Sequence, residues 1–66
     1  MVAEPVADPL REVILAGAAR RFVAVGVTKT TMAEIAAEAR TTKPTLYKRF
    51  PDKTAVVEAL VRRETA

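Results

Sequence analysis

The sequence predicts an all-α protein, a small helical bundle with three helices and the start of a fourth. Apolar residues recur at three- and four-residue spacing through much of the 66-residue chain, which is the period of an amphipathic helix. Capping residues and prolines precede these segments, and no stretch alternates as a β-strand does. A chain of this length forms at most one small domain, which buries only about 60% of its unfolded surface.

The first helix is predicted to begin at Asp8 and Pro9. Aspartate is a favoured capping residue, and proline suits the first helical position because no amide hydrogen is needed there. Gly26 is expected to end the helix in the left-handed conformation. Residues 1–8 would then form a flexible tail before a domain that spans residues 9–66. The expected apolar face consists of Leu10, Val13, Ile14, Ala18, Phe22 and Val25.

The second helix is short and begins at Thr31. Thr31 and Glu34 form a capping box, in which each side chain bonds the other residue's backbone amide. The helix is expected to end near Ala39 or Arg40. Its narrow stripe of mostly small residues would let another helix approach closely, and the stripe consists of Met32, Ile35, Ala36 and Ala39.

The third helix contains a proline near its start. If Thr42 is the cap, Pro44 lies at the second helical position, where it removes no intrahelical hydrogen bond and already has a helical φ. At about 100° per residue, Leu46 and Phe50 lie side by side and face the core. The outward face would carry Pro44, Thr45 and Lys48, with Tyr47 and Arg49 on opposite flanks.

The fourth helix is predicted to follow Pro51, with Asp52 as its cap. Val56, Ala59 and Leu60 share one side, and Val57 and Val61 widen the apolar surface. Such a broad apolar arc at the end of the chain suggests that residues outside this chain pack against it. We therefore expect the chain to be the N-terminal part of a larger protein.

Composition excludes several kinds of function. The chain has no cysteine and no histidine, which rules out disulfides, Cys/His zinc sites and catalysis by either residue. Glu34, Glu38 and Asp52 are explained by caps and exposed faces, so we expect no enzyme and no cofactor. Without a membrane-length apolar run or a signal peptide, the expectation is a soluble cytoplasmic protein with no membrane partner.

Positive charge is concentrated around the third helix. The net charge of the chain is +3, whereas the segment from Arg40 to Lys53 carries five cations and one acid, a local +4. A solvated cationic face is the common origin of such a cluster, and nucleic-acid binding is the other. The cations are Arg40, Lys43, Lys48, Arg49 and Lys53, and the acid is Asp52.

The two short helices at about residues 31–50 have the layout of a helix-turn-helix. They are joined by about three residues, and the first helix is expected to pack across them. In this motif the second helix enters the major groove of DNA with its N-terminal residues at the base edges. Only the first turns reach the bases, so a short helix is sufficient.

The sequence resembles the DNA-binding domain of TetR-type transcriptional repressors from about Leu10 to Leu60. The segments "EIAAEA" and "TLYKRF" carry the most specific part of this resemblance. The matching residues are Ile14, Leu15, Ala18, Ala19 and Phe22 in the first helix, then Gly26, Thr30, Thr31, Ile35, Ala36, Thr45, Leu46, Tyr47, Phe50 and Lys53.

The resemblance implies sequence-specific binding of double-stranded DNA at a palindromic operator. It implies base-edge contacts for Lys43, Pro44 and Thr45, and phosphate contacts for Thr31, Tyr47 and Lys53, the last together with amides of the fourth helix. Lys48 and Arg49 would contact bases or backbone. The implied DNA-binding residues are Thr31, Thr42, Lys43, Pro44, Thr45, Tyr47, Lys48, Arg49 and Lys53.

The resemblance also implies a repressor that is released by a ligand in a C-terminal domain, which this chain lacks. A homodimer is expected only with that domain, and the chain alone should be mainly monomeric. In the turn, family members often have Ala-Gly-Val-Ser where this chain has Ala39, Arg40, Thr41 and Thr42. A left-handed non-glycine residue at Arg40 would cost about 1 kcal/mol.

A helical protein–protein interaction module without a nucleic-acid role is the main alternative. The apolar arc of the fourth helix favours it. Binding to random duplex DNA distinguishes the two functions, because a DNA binder weakens steeply with salt through counterion release.

Overall fold

A computed structural model describes residues 8–65, with side chains described up to residue 63, and these residues form four helices and no strand. The helices are α1 (Pro9–Val25), α2 (Met32–Glu38), α3 (Lys43–Arg49) and α4 (Lys53–Thr65). The predicted all-α fold is confirmed. Residues 1–7 of the predicted tail lie outside the described residues, whereas Asp8 is the cap of α1.

Every helix begins at its predicted capping residue. At each start a side-chain oxygen accepts a hydrogen bond from the backbone N–H three residues later, which satisfies an amide that has no partner within the helix. The capping box of α2 is complete, since Glu34 also accepts from the Thr31 amide at 3.0 Å. The four caps are Asp8, Thr31, Thr42 and Asp52.

Gly26 ends α1 with a positive φ, as predicted, but not in the left-handed helical conformation. Its φ is 92° and its ψ is 156°, so the chain leaves the helix extended. The Gly26 amide still donates to the Phe22 carbonyl at 2.8 Å. A β-carbon at Gly26 would meet nothing within 4 Å, so backbone conformation rather than space favours glycine here.

A single core joins the four helices. Its most buried large side chains include Ile14 and Leu15 from α1, Ile35 from α2, Leu46 from α3 and Val56 from α4. Phe22, Met32 and Leu60 pack against this core and are partly buried, and Phe50 is only 4% exposed.

The predicted apolar face of α1 was wrong at two positions. Val13 is 45% exposed and Val25 38% exposed, whereas Leu15, outside the predicted face, is fully buried. Val13 and Leu15 lie on opposite sides of the line through Ile14 and Ala18, and the neighbouring helices cover the Leu15 side. Val25 is in the last turn of α1, where burial of the helix ends.

α1 and α2 approach closely at Gly17. A β-carbon on Gly17 would lie 3.1 Å from Glu38 Cγ, closer than ordinary van der Waals contact. Arg20 and Arg21 form ion pairs across the same contact with Glu38 and Glu34. The N–O distances are 3.0 and 3.6 Å, and both pairs are partly exposed.

The turn between α2 and α3 has the hydrogen bonds of a Schellman motif. The Thr41 amide donates to the Ala36 carbonyl at 2.9 Å, and the Arg40 amide donates to the Ala37 carbonyl at 3.1 Å. Arg40 has a φ of 57°, the left-handed conformation that glycine usually adopts at this position. The chain thus makes the turn of a helix-turn-helix with arginine at its strained residue.

Candidate nucleic-acid interface

α3 is anchored by the two side chains that the sequence assigned to the core. Leu46 is fully buried and Phe50 is 4% exposed. The Phe50 amide also donates to the Leu46 carbonyl at 2.9 Å and closes the last turn. These contacts fix which side of the helix faces outward.

The outward side of α3 is polar and cationic at its start and middle. Lys43, Pro44 and Lys48 are exposed, Tyr47 is 45% exposed, and Thr45 is half-buried. The helical geometry inferred from the sequence therefore holds for this face. It presents two ammonium groups, an apolar ring and a phenolic hydroxyl to the solvent.

Two threonine hydroxyls are paired at the start of α3. Thr42 Oγ1 accepts from the Thr45 amide at 3.3 Å and donates to Thr45 Oγ1 at 2.9 Å. The hydroxyl hydrogen of Thr45 is then left to donate elsewhere, because a hydroxyl has one donor and two acceptor positions. Guanine N7 and O6, adenine N7 and thymine O4 all accept hydrogen bonds in the major groove.

The cations around α3 differ in whether other groups of the protein bind them. Within the part of the chain that the structure describes, Arg40, Lys43 and Lys48 make no ion pair. They are exposed and available to an anionic partner. Arg49 and Lys53, by contrast, are both held by groups of the protein itself.

Arg49 forms a two-point ion pair with Asp8, the cap of α1. Its Nε lies 2.9 Å from Asp8 Oδ2, and its Nη2 lies 3.4 Å from Asp8 Oδ1. The hydrogen bond from Arg49 holds the pKa of Asp8 below its ordinary value. The backbone amide of Arg11 also donates to Asp8, and the guanidinium carbon of Arg11 lies 5.5 Å from the centre of the Phe50 ring.

Sequence reasoning missed the link between Asp8 and Arg49. The two residues are 41 positions apart, and no local pattern relates a helix cap to the end of a different helix. From the sequence, Asp8 was predicted only to cap α1, and it does so in the structure.

Lys53 points into the connection between α1 and α2. Its Nζ donates to the carbonyls of Val27 at 2.7 Å, Thr30 at 3.0 Å and Thr28 at 3.3 Å. Thr31 follows this connection, is exposed, and caps α2. Lys53 and Thr31, predicted separately as phosphate contacts, therefore belong to one structural unit.

No helix within residues 8–65 is both long and apolar enough to cross a membrane. The same described residues contain no group of acidic side chains that is placed to hold a metal ion.

Residues 14–60 match the family model described as bacterial regulatory proteins, tetR family. The match covers more than two thirds of the chain and includes each predicted DNA-binding residue. Comparisons with curated proteins and with solved structures found no match. The chain therefore belongs to the TetR family of bacterial regulatory proteins, and its helix-turn-helix is the DNA-binding domain of a transcription regulator.

Proposed function

We propose that α3 reads the base sequence of a palindromic operator in the major groove and that the protein acts there as a repressor. The observation that carries this proposal is the outward face of α3, where exposed Lys43, Pro44 and Lys48 are backed by buried Leu46 and Phe50. A helix held in this way presents base-reading groups without having to order itself on binding.

The base-reading residues in this proposal are Lys43, Pro44, Thr45 and Lys48. A lysine ammonium donates to guanine O6 and N7, and an apolar ring packs against a thymine methyl group. The free hydroxyl hydrogen of Thr45 adds a donor near the start of the helix, where the motif places its base contacts.

The residues around this face hold the DNA backbone in the proposal. Tyr47 is on the flank of α3 and offers its hydroxyl, while Thr31 and Thr42 lie at the starts of α2 and α3. Arg40 adds an unpaired cation at the turn. Asp8 binds Nε and Nη2 of Arg49, so a phosphate would bind the remaining N–H donors of its guanidinium or displace Asp8.

Ligand release and dimerisation belong to a C-terminal domain in this proposal. A two-fold dimer matches a palindromic operator because each copy of α3 reads one half-site. The 66-residue chain alone is expected to be mainly monomeric and to bind half-sites weakly. Sedimentation at micromolar concentration tests this expectation, and a tight dimer would contradict it.

Binding to a selected operator tests the base-reading face. An operator is first selected from random duplex DNA, and each variant is then measured on it and on scrambled DNA across a salt series. Thr45→Ala and Lys48→Ala should reduce discrimination by about 1–3 kcal/mol for each good base contact. Lys29→Ala is the matched control, because it removes an exposed lysine outside α3.

The control variant should leave sequence preference unchanged, even if it weakens binding to all DNA. If Lys29→Ala alters the preference while Thr45→Ala and Lys48→Ala do not, the base-reading face has been assigned wrongly. If the protein binds no duplex DNA in a salt-dependent way, the result would instead favour the protein–protein interaction module.

A further inference from the structure

We propose that Asp8 is a positioning residue for DNA binding: its carboxylate orients the guanidinium of Arg49, which presents its remaining N–H groups to a DNA phosphate. This inference rests on the proposed function, because it needs α3 to lie in the major groove. It gives the cap of α1 a role in a binding surface that another helix forms.

The ion pair uses one edge of the Arg49 guanidinium and leaves the other edges available. Arg49 Nε lies 2.9 Å from Asp8 Oδ2, and Arg49 Nη2 lies 3.4 Å from Asp8 Oδ1. These contacts engage two of the five N–H donors of the planar guanidinium, and no other group among the described residues bonds this side chain. A phosphate oxygen can therefore bind Arg49 while the carboxylate stays in place.

Asp8 is itself held in place by α1. Its Oδ1 accepts from the Arg11 amide at 3.3 Å, and its backbone carbonyl accepts from the Glu12 amide at 3.2 Å. The core anchors α1 in turn, because Ile14 in the next turn is fully buried. The carboxylate is therefore fixed relative to the core, and it fixes the end of the Arg49 side chain in the same way.

The position of Arg49 in α3 favours a phosphate contact over a base contact. In a helix-turn-helix the N-terminal residues of the second helix contact base edges, whereas Arg49 is the last residue of α3. Helical geometry places its side chain on the opposite flank from Tyr47. A helix in the major groove has a phosphate backbone on either side, so Arg49 and Tyr47 are placed to meet different backbones.

Orientation in advance makes this contact more favourable. Ordering a long side chain at an interface costs free energy when the complex forms. The ion pair orders Arg49 when the protein folds, so this cost does not fall on DNA binding. Lys43 and Lys48 are exposed and form no ion pair within the described residues, so they lose their freedom only on the DNA.

The carboxylate of Asp8 also has an opposing effect, because its negative charge repels DNA phosphates. Replacing Asp8 with an uncharged cap therefore removes a repulsion and an orienting contact together. A double-mutant cycle with Arg49 separates these two effects, since the repulsion exists whether or not Arg49 is present.

The test measures the DNA affinity of the parent, Asp8→Asn, Arg49→Gln and the double variant, on a selected operator and on scrambled DNA. Asparagine keeps the cap of α1, and circular dichroism identifies a temperature at which all four proteins are folded. In the Arg49→Gln background, Asp8→Asn should strengthen binding because a repulsion is lost. With Arg49 present, the effect of Asp8→Asn on affinity should be less favourable by about two- to tenfold, which corresponds to ordering one long side chain.

Asp52→Asn is the matched control. Asp52 also caps a helix, and it forms no ion pair within the described residues. Its replacement should change DNA affinity by the same factor with and without Arg49. Asp8→Ser covers the case in which Asp8→Asn does not fold, because serine is also a good uncharged cap and should show the same coupling to Arg49.

An equal effect of the Asp8 substitution with and without Arg49 would overturn the inference. A more favourable effect with Arg49 present would also overturn it, because Asp8 would then compete with phosphate for the guanidinium. Coupling on the operator but not on scrambled DNA would overturn the assignment to phosphate. If the parent binds no duplex DNA in a salt-dependent way, the proposed function fails together with this inference, whereas independent effects in a protein that binds DNA overturn this inference alone.

Discussion

At the scale of single residues, the ion pair between Asp8 and Arg49 joins the first turn of α1 to the last residue of α3. Asp8 also caps α1 through the Arg11 amide. One carboxylate thus stabilises a helix start and restrains a cation next to the proposed base-reading face. The restraint of Arg49 depends on the negative charge of Asp8, whereas an uncharged capping residue would retain the cap.

The stability that this pair contributes should depend on pH in the acidic range. Because Arg49 lowers the pKa of Asp8 in the folded state, the contribution is complete above the ordinary value of 3.8 and is lost as pH falls through the lowered value. Urea unfolding from pH 2.5 to 7 should show that Arg49→Gln is less stable than the parent above pH 5. The difference between their free energies of unfolding should become smaller below pH 4.

Asp8→Asn is the control for this measurement, since asparagine remains a good cap but carries no charge. When Arg49→Gln is added to the Asp8→Asn variant, the change in the free energy of unfolding should not vary with pH. A difference between the parent and Arg49→Gln that is as large at pH 3 as at pH 6 would contradict the assignment.

Arg40 carries the backbone strain of the turn. Its φ of 57° is unfavourable for residues with a β-carbon, so Arg40→Gly should stabilise the domain by about 0.5–1 kcal/mol in urea unfolding. The same change removes an unpaired cation and should weaken DNA binding. Ala37→Gly, in α2, is the control and should cost about 0.5–1 kcal/mol. Equal effects from both substitutions would show that Arg40 is not strained.

At the scale of the helices, the sequence predicted the features that depend on residues close together in the chain. Capping residues act on amides three positions away, so each helix start was visible in the sequence. The face of α1 was predicted less well, because burial of Leu15 and exposure of Val13 depend on where other helices pack. The contacts of Lys53 and Arg49 were not predictable, since they join residues that only the fold brings together.

Gly17 sets the distance between α1 and α2. A β-carbon there would already be 3.1 Å from Glu38 Cγ, so the additional methyl groups of valine have no space. Gly17→Val should cost about 1–3 kcal/mol in urea unfolding through overpacking. Ala16→Val is the control, because Ala16 is the exposed neighbour in the same helix. Ala16→Val loses only helix propensity, whereas Gly17→Val gains it, so a Gly17→Val variant as stable as the parent would contradict the packing argument.

At the scale of the whole molecule, one small core connects all four helices. Phe50 follows α3, packs within this core and lies under the Arg11 guanidinium. The sequence predicted its burial correctly from its spacing to Leu46. A domain of this size has little stability in reserve, so the loss of one large core side chain affects every helix.

Phe50→Ala should cost about 3–5 kcal/mol, enough to unfold most or all of so small a domain. Circular dichroism during heating measures the effect, and Tyr47→Ala, which truncates an exposed aromatic residue of α3, is the control. A variant that remained fully helical and unfolded cooperatively near the parental Tm would contradict the role of Phe50 in the core.

The separation of buried and exposed positions in α3 has a consequence for redesign. Leu46 and Phe50 hold the helix, while the exposed side chains of Lys43 and Lys48 make no hydrogen bond or ion pair with the described residues. New residues at positions 43 and 48 should therefore change the preferred operator and leave the free energy of unfolding within about 0.5 kcal/mol of its original value. A library randomised at these two positions would consist largely of folded proteins, each a candidate for binding a different operator sequence.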